Sequence, residues 1–265
     1  MLKLKLFIPT VFMLSFVSYT QVLNIDRENG QDTLKKKFRG SINFSFSSDK
    51  QRRNVLDFAN TSELALLVKK DRIFVLLSQS EFIFNGPTVI ENNGFFQLRF
   101  RDNDTRKVYP DFYAQYQWNG VQGMERRALG GVNARFRFLE KKKSDLYASI
   151  GLFYESEKWN PSLSAFSFNQ DSLQVVYRDL IRLNCAAKFA LKIAKGVDLS
   201  GSTFVQFPLN ENYLQPRWYF DSNLNFEVNR FLSFLIHYDH NLDYYRPLPI
   251  DSYYYTLSLG MQLRF

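Results

Sequence analysis

Apolar and polar residues alternate one for one along most of this chain. In its last segment the odd positions read Tyr253, Tyr255, Leu257, Leu259, Met261, Leu263 and Phe265, against Ser252, Tyr254, Thr256, Ser258, Gly260, Gln262 and Arg264. Successive side chains of an extended strand point to opposite faces, so a period of two predicts a strand with one apolar and one polar side. Upstream, Leu232, Phe234, Ile236, Tyr238 and Leu242 oppose Ser233, His237, Asp239 and Asn241. Trp218, Phe220, Leu224, Phe226 and Val228 oppose Asp221, Asn223, Asn225 and Glu227. Phe112, Ala114, Tyr116 and Trp118 oppose Gln115 and Gln117, and Ala128, Gly130, Val132, Ala134, Phe136 and Phe138 oppose Arg127, Asn133, Arg135 and Arg137. Strands of this kind need a different environment on each side.

About twelve such segments are predicted, near residues 37–48, 54–68, 72–84, 94–101, 111–119, 124–139, 145–156, 176–193, 197–208, 216–228, 231–242 and 252–265. Many exceed the roughly ten residues that cross an outer membrane, as strands do when they project beyond it. Connections alternate in length as well. Lys69–Asp71, Glu140–Ser144, Ala194–Gly196 and Asn229–Arg230 are short; Asn85–Asn93, Glu157–Val175, Leu209–Gln215 and Asp243–Asp251 are longer. Asp102–Pro110 and Asn119–Gly123 break the rule, one long and one short. The fold expected is all-β: a transmembrane antiparallel β-barrel over residues 37–265, of about twelve strands. Ten to fourteen fit, because Ile73, Val75 and Leu77 make the second face of 72–84 apolar too.

A soluble β-sandwich would alternate as well, with its apolar face turned into a core. The chain end argues for the membrane. Tyr255, Leu257, Leu259, Met261, Leu263 and a terminal Phe265 form the pattern expected of a substrate of the barrel-assembly machinery. Trp118, Trp218, Tyr219, Tyr244, Tyr245, Tyr253 and Tyr254 fall near strand ends, where interfacial aromatic girdles lie.

At the other end, Lys3 and Lys5 precede an apolar run from Leu6 to Val17 and then Ser18, Tyr19 and Thr20, the order of a secretory signal peptide. Twelve residues are too few for a transmembrane helix, which needs about twenty. Residues 1–20 are therefore expected to be cleaved, leaving 21–36 as a periplasmic N-terminal segment. No cysteine follows the run to accept lipid.

Composition agrees with aromatic-rich strands. Phe contributes 27 residues, Tyr 15 and Trp 3, while Gly and Pro number 12 and 8. The mean hydropathy of -0.29 does not fit a bundle of membrane helices. One cysteine, Cys185, rules out an intramolecular disulfide and any multi-cysteine metal site. Removing Lys3 and Lys5 lowers the net charge from +8 to +6, a modest excess that does not call for a nucleic-acid partner.

Asp111-Phe-Tyr-Ala-Gln-Tyr-Gln-Trp-Asn119, Met124-Glu-Arg-Arg-Ala-Leu-Gly-Gly-Val-Asn-Ala-Arg135 and Ser149-Ile-Gly-Leu-Phe-Tyr-Glu155 together resemble the salt-stress-induced outer-membrane protein family, catalogued as a domain of unknown function. Leu23-Asn-Ile-Asp-Arg27 and Gly94-Phe-Phe-Gln-Leu-Arg99 look like its Bacteroidetes forms. The resemblance spans residues 22–156 and implies a barrel in a Gram-negative outer membrane. It brings no activity and no catalytic residues.

What the polar face does then depends on its charges. Turned inward, it carries Arg99, Arg101, Arg127, Arg135 and Arg137, a basic patch that would favour small anionic solutes. Alternatively these arginines pair with Glu125, Glu155, Asp198, Asp221, Glu227 and Asp239 and fill the barrel, which the modest width of twelve strands favours. The loop Glu157–Val175, with Trp159, Phe166 and Phe168, is a candidate constriction or a mobile surface loop. The function expected is a narrow pore or envelope-integrity protein; the alternatives are a closed barrel acting through its outer loops and an envelope enzyme. The expected partners are outer-membrane lipid, lipopolysaccharide and the assembly machinery.

An enzyme would need a reactive constellation. Outer-membrane phospholipases place a histidine two residues before the serine, whereas His237 is followed by Tyr238 and Asp239 and His240 by Asn241 and Leu242. Ser233, His237 and Asp239 share one strand face, but that face is the lumen. No phosphate loop or metal-ligand spacing appears, so no cofactor, metal or catalytic residue is assigned.

Overall fold

The computed structural model describes residues 37–50, 54–69, 72–102, 108–141, 144–164, 174–210, 212–229 and 232–263. The expected signal peptide, the whole N-terminal segment 21–36 and Phe265 lie outside them. Twelve strands follow one another: β1 (Phe38–Lys50), β2 (Asn54–Lys69), β3 (Arg72–Asn85), β4 (Thr88–Asp102), β5 (Val108–Asn119), β6 (Met124–Lys141), β7 (Ser144–Trp159), β8 (Val176–Ala194), β9 (Val197–Pro208), β10 (Arg217–Glu227), β11 (Leu232–Asp243) and β12 (Tyr253–Leu263). They form one antiparallel sheet in chain order, each hydrogen-bonded to its neighbours in sequence. Among the described residues no ladder joins β12 to β1, and every residue of β1 is exposed.

Most strand limits fall within a residue or two of the periodicity, and β3–β4 is the clear departure. The expected loop at Asn85–Asn93 is a turn through Gly86 and Pro87, with Gly86 at φ 61°. Polar Glu91, Asn92 and Asn93 look like loop in sequence, yet they extend β4 past its apolar stretch.

The sheet curls so that its charged face is covered. Arg127, Arg182, Glu155 and Asp111 are wholly buried, while Phe46 is 70% and Leu259 68% exposed. This is the reverse of a soluble protein, where charges stay at the surface and large apolar side chains go inside. Tight curvature needs small residues on the concave side. A Cβ on Gly151 would collide with the Val132 carbonyl and with Asn133, so the β6–β7 approach admits only glycine there.

Two aromatic bands decorate the outward face. Near the longer loops, Trp118 packs with Phe82, Phe96 and Tyr116, and Trp218 meets the edge of His240 at 4.5 Å, with Tyr253 beyond. Near the short turns, Phe100 lies between Phe74 and Phe112. Tyr219 is not in a girdle as expected: it sits on an inward position of β10, buried and stacked on Phe204 at 5.9 Å.

Candidate functional site: the charged interior

The inward positions build two charged layers. The first lies toward the longer loops. β7 runs toward that end and delivers Glu155 and Glu157 two residues apart on one face, with β6 alongside placing Arg127. Arg127 donates to Glu155 and stands 3.2 Å from Glu157. β8 supplies Arg178, bonded to Glu157 Oε2 at 2.5 Å, and Arg182, whose Nε donates to Glu155. From β10, which does not neighbour β7, Arg217 reaches Glu155 at 3.5 Å, Glu157 at 3.4 Å and Asp243 of β11 at 2.9 Å. Side chains thus span the interior, and four guanidiniums share three carboxylates. A buried carboxylate is tolerated only with such partners.

The second layer lies toward the short turns. Arg99 donates to Asp111, whose other oxygen stands 3.7 Å from Arg101. Arg135 and Arg137 face the rings of Tyr109 and Tyr147 at 5.5 to 5.9 Å. Between the layers runs a belt of amides, in which Gln97 donates to Gln115 at 2.7 Å and Asn184 to Asn133 at 3.4 Å.

All five arginines singled out from the sequence therefore stand on inward positions of β4 and β6, though in separate layers. The acidic partners differ more from the expectation. Glu155 is a partner, but Glu125 bonds Lys158 at 2.5 Å near the rim, away from the arginines. Asp111, Glu157, Asp243, Arg178, Arg182 and Arg217 were missed. Glu157 and Asp243 looked like the first residues of loops, and Arg178 and Arg182 share their face with buried Leu180, which blurs the contrast on β8.

A lid reaches over the mouth above the first layer, and it comes from the β11–β12 loop. Of the expected loop Glu157–Val175, residues 157–159 belong to β7, a single 3₁₀ turn follows at Pro161–Leu163, and Phe166 and Phe168 lie outside the described residues. In the lid, Leu248 is buried against Met124 and Trp159, with Val176 and Ile250 beside them. The Tyr245 carbonyl accepts from Arg178 at 2.5 Å, and the Tyr245 ring lies 4.7 Å from that guanidinium. In the lid Arg246 sits over Tyr254 at 4.8 Å, and burial pulls its guanidinium below the usual range.

His237 does not assemble a serine triad. Its Nδ1 is 3.0 Å from Asn223 Oδ1 and its Nε2 3.3 Å from Asp239, while Ser233 Oγ, buried, has no hydrogen-bond partner among the described residues. His240 faces outward among aromatic rings.

A twelve-stranded antiparallel sheet, curled in the manner of a β-barrel around an ion-paired interior with an apolar exterior, is thus the class the geometry defines. The model of a family of proteins of unknown function, DUF481, matches residues 85–243, and the chain belongs to that family. No curated protein matches the chain in sequence. Among solved structures it is similar to the NanC porin in a rhombohedral crystal form, at 10% identity and a TM-score of 0.41, over 86% of this chain and 98% of that one.

Proposed function

We propose that this protein is a β-barrel of a Gram-negative outer membrane and acts as a narrow passage for small anions. The observation that carries the reading is the inverted distribution of polarity. Among the described residues seven buried arginines and five buried carboxylates line the inside, while aromatic and aliphatic side chains cover the outside in two bands. Exposed apolar surface on that scale calls for lipid rather than water. Among these buried charges guanidiniums outnumber carboxylates by two, and a local positive excess favours anions. Short turns would then face the periplasm, and the Tyr245–Leu248 lid the outside.

A lipid-embedded sheet leaves no edge unpaired, so the proposal includes a β12–β1 ladder closing the barrel. The two strands run in opposite directions and both turn apolar residues outward, Phe44 and Phe46 on one and Leu257 and Leu259 on the other. Closure is tested by migration of unheated against boiled protein on gels, where a closed barrel shifts and an open sheet does not.

The pore is tested by conductance and reversal potential of the refolded chain in a planar bilayer under a salt gradient. Stable steps with anion preference, weakened by Arg127→Ala and Arg135→Ala, are expected. A second reading rests on the ion pairs that span the interior and on the lid: a closed barrel working through its outer loops. A folded but electrically silent protein would select it.

A further inference from the structure

The loop-end layer pairs its charges unequally, and the leftover hydrogen-bonding atoms gather in one place. Arg182 is fully buried and uses only its Nε, on Glu155; its Nη1 and Nη2 have no hydrogen-bond partner among the described residues. Gln206, also fully buried, accepts from Arg217 Nη1 at 3.5 Å through Oε1, and its Nε2 has no partner among the described residues. Asn184 is directly across from Gln206 in the β8–β9 register and two residues from Arg182 on the same inward face; its buried Oδ1 is unmatched as well. Glu155 and Gln206 both lie within 3.5 Å of Arg217 Nη1, so Arg182, through Glu155, and Gln206 meet at the same guanidinium.

Buried donors left unmatched cost free energy that a ligand recovers. Nη1 and Nη2 of one guanidinium form a planar fork that fits two oxygens of an oxyanion, and the Gln206 amide offers a third donor. The unmatched Asn184 oxygen calls for a hydrogen on the ligand. We propose that Arg182, Gln206 and Asn184 form a binding site for a small oxyanion that carries a proton on one oxygen, with monohydrogen phosphate as the fitting chemistry. Four guanidiniums against three carboxylates leave one positive charge over in this layer, and Arg246, in the lid above, adds another. The site deepens the anion-passage reading and rests on the same interior, but does not require conduction.

The test is calorimetric titration of the full chain, folded in detergent micelles, with inorganic phosphate and separately with sulfate at fixed ionic strength and neutral pH. Saturable phosphate binding is expected, with sulfate at least about tenfold weaker because it has no proton to give Asn184. Gln206→Glu is isosteric and keeps the acceptor for Arg217, yet turns the free donor into a carboxylate; phosphate affinity should fall by more than about tenfold. Arg182→Lys keeps the charge and removes the fork, with a loss of about tenfold. Retained gel migration of the unheated protein shows that each variant is folded, and Arg182→Lys decides if Gln206→Glu is not. Absence of saturable phosphate binding, equal affinity for sulfate, or unchanged affinity in a folded variant overturns the site. Binding to an electrically silent barrel removes the passage and leaves the site; conductance without binding does the reverse.

Discussion

The two charged layers hold their arginines by different means. Toward the loops, Arg127, Arg178, Arg182 and Arg217 interlock through Glu155, Glu157 and Asp243, and the bonds link β6, β7, β8, β10 and β11. Toward the short turns, Arg99 and Arg101 meet Asp111 on the adjacent strand, and Arg135 and Arg137 rest against tyrosine rings. Carboxylates shared by strands that are not neighbours tie one side of the barrel to another. The short-turn contacts join adjacent strands, which the backbone ladders already hold together. The loop-end layer is therefore the brace of the barrel, while the short-turn layer is a lining whose contacts reinforce strand pairs already joined.

Removing the shared carboxylate gives the sharpest contrast. Glu155→Ala leaves Arg127, Arg182 and Arg217 short of a buried partner at once and should destabilise the folded barrel by about 3–5 kcal/mol, the usual consequence of orphaning a buried charge. Asp111→Ala should lose less, since it serves only β4 and β5. Denaturant titration of both variants in micelles, followed by tryptophan fluorescence, compares them. Equal losses would dissolve the distinction between brace and lining.

The lid extends the brace to the mouth. Leu248→Ala empties the apolar pocket formed by Met124 and Trp159 and should weaken lid attachment by about 2 kcal/mol, the low end for truncating a buried leucine. Chymotrypsin then reaches Tyr244 and Tyr245 faster while global stability stays close to wild type. A global loss as large as that of Glu155→Ala would make the lid part of the barrel's frame instead of a cover.

Much of this was legible in the sequence, and what was not has a physical cause. Strand limits emerged wherever an apolar, exposed face alternates with a polar, covered one, as at β9, where contrast between faces is strong. The β3–β4 turn was misplaced because the apolar–polar alternation of β4 breaks off at Glu91, Asn92 and Asn93, which pair with β3 all the same. The inward arginines followed from parity on β4 and β6. Their partners did not, because Arg217 meets Glu155 across 62 residues of chain and only the curl of the sheet brings them together. The lid was readable only as an apolar Leu248-Pro-Ile250 inside a loop, a weak hint until Leu248 is seen opposite Trp159.

Gly123 tests whether the lid seat is preorganised. It sits at φ 80° in the β5–β6 turn, and a Cβ there would stand 2.9 Å from Leu248 Cδ1. Gly123→Ala adds left-handed strain to this crowding and should cost about 1–2 kcal/mol, with proteolysis of the lid rising as in Leu248→Ala. Stability lost without faster lid cleavage would put the strain in the turn alone.

The smallest effect is expected in the lining. Tyr147 lies 5.6 Å from both Arg135 and Arg137, so Tyr147→Leu removes two ring contacts while keeping an apolar side chain. Cation–π contacts contribute about 0.5–1 kcal/mol where solvent is near and about 2 kcal/mol when desolvated. Arg135 is almost fully buried but Tyr147 only partly, which places the loss near 1 kcal/mol. Because no carboxylate is removed, the charge balance of the interior is unchanged, and the reversal potential of a conducting barrel should stay at its wild-type value. A loss of stability like that of Glu155→Ala would show that the short-turn layer also braces the barrel, through tyrosine rings in place of carboxylates.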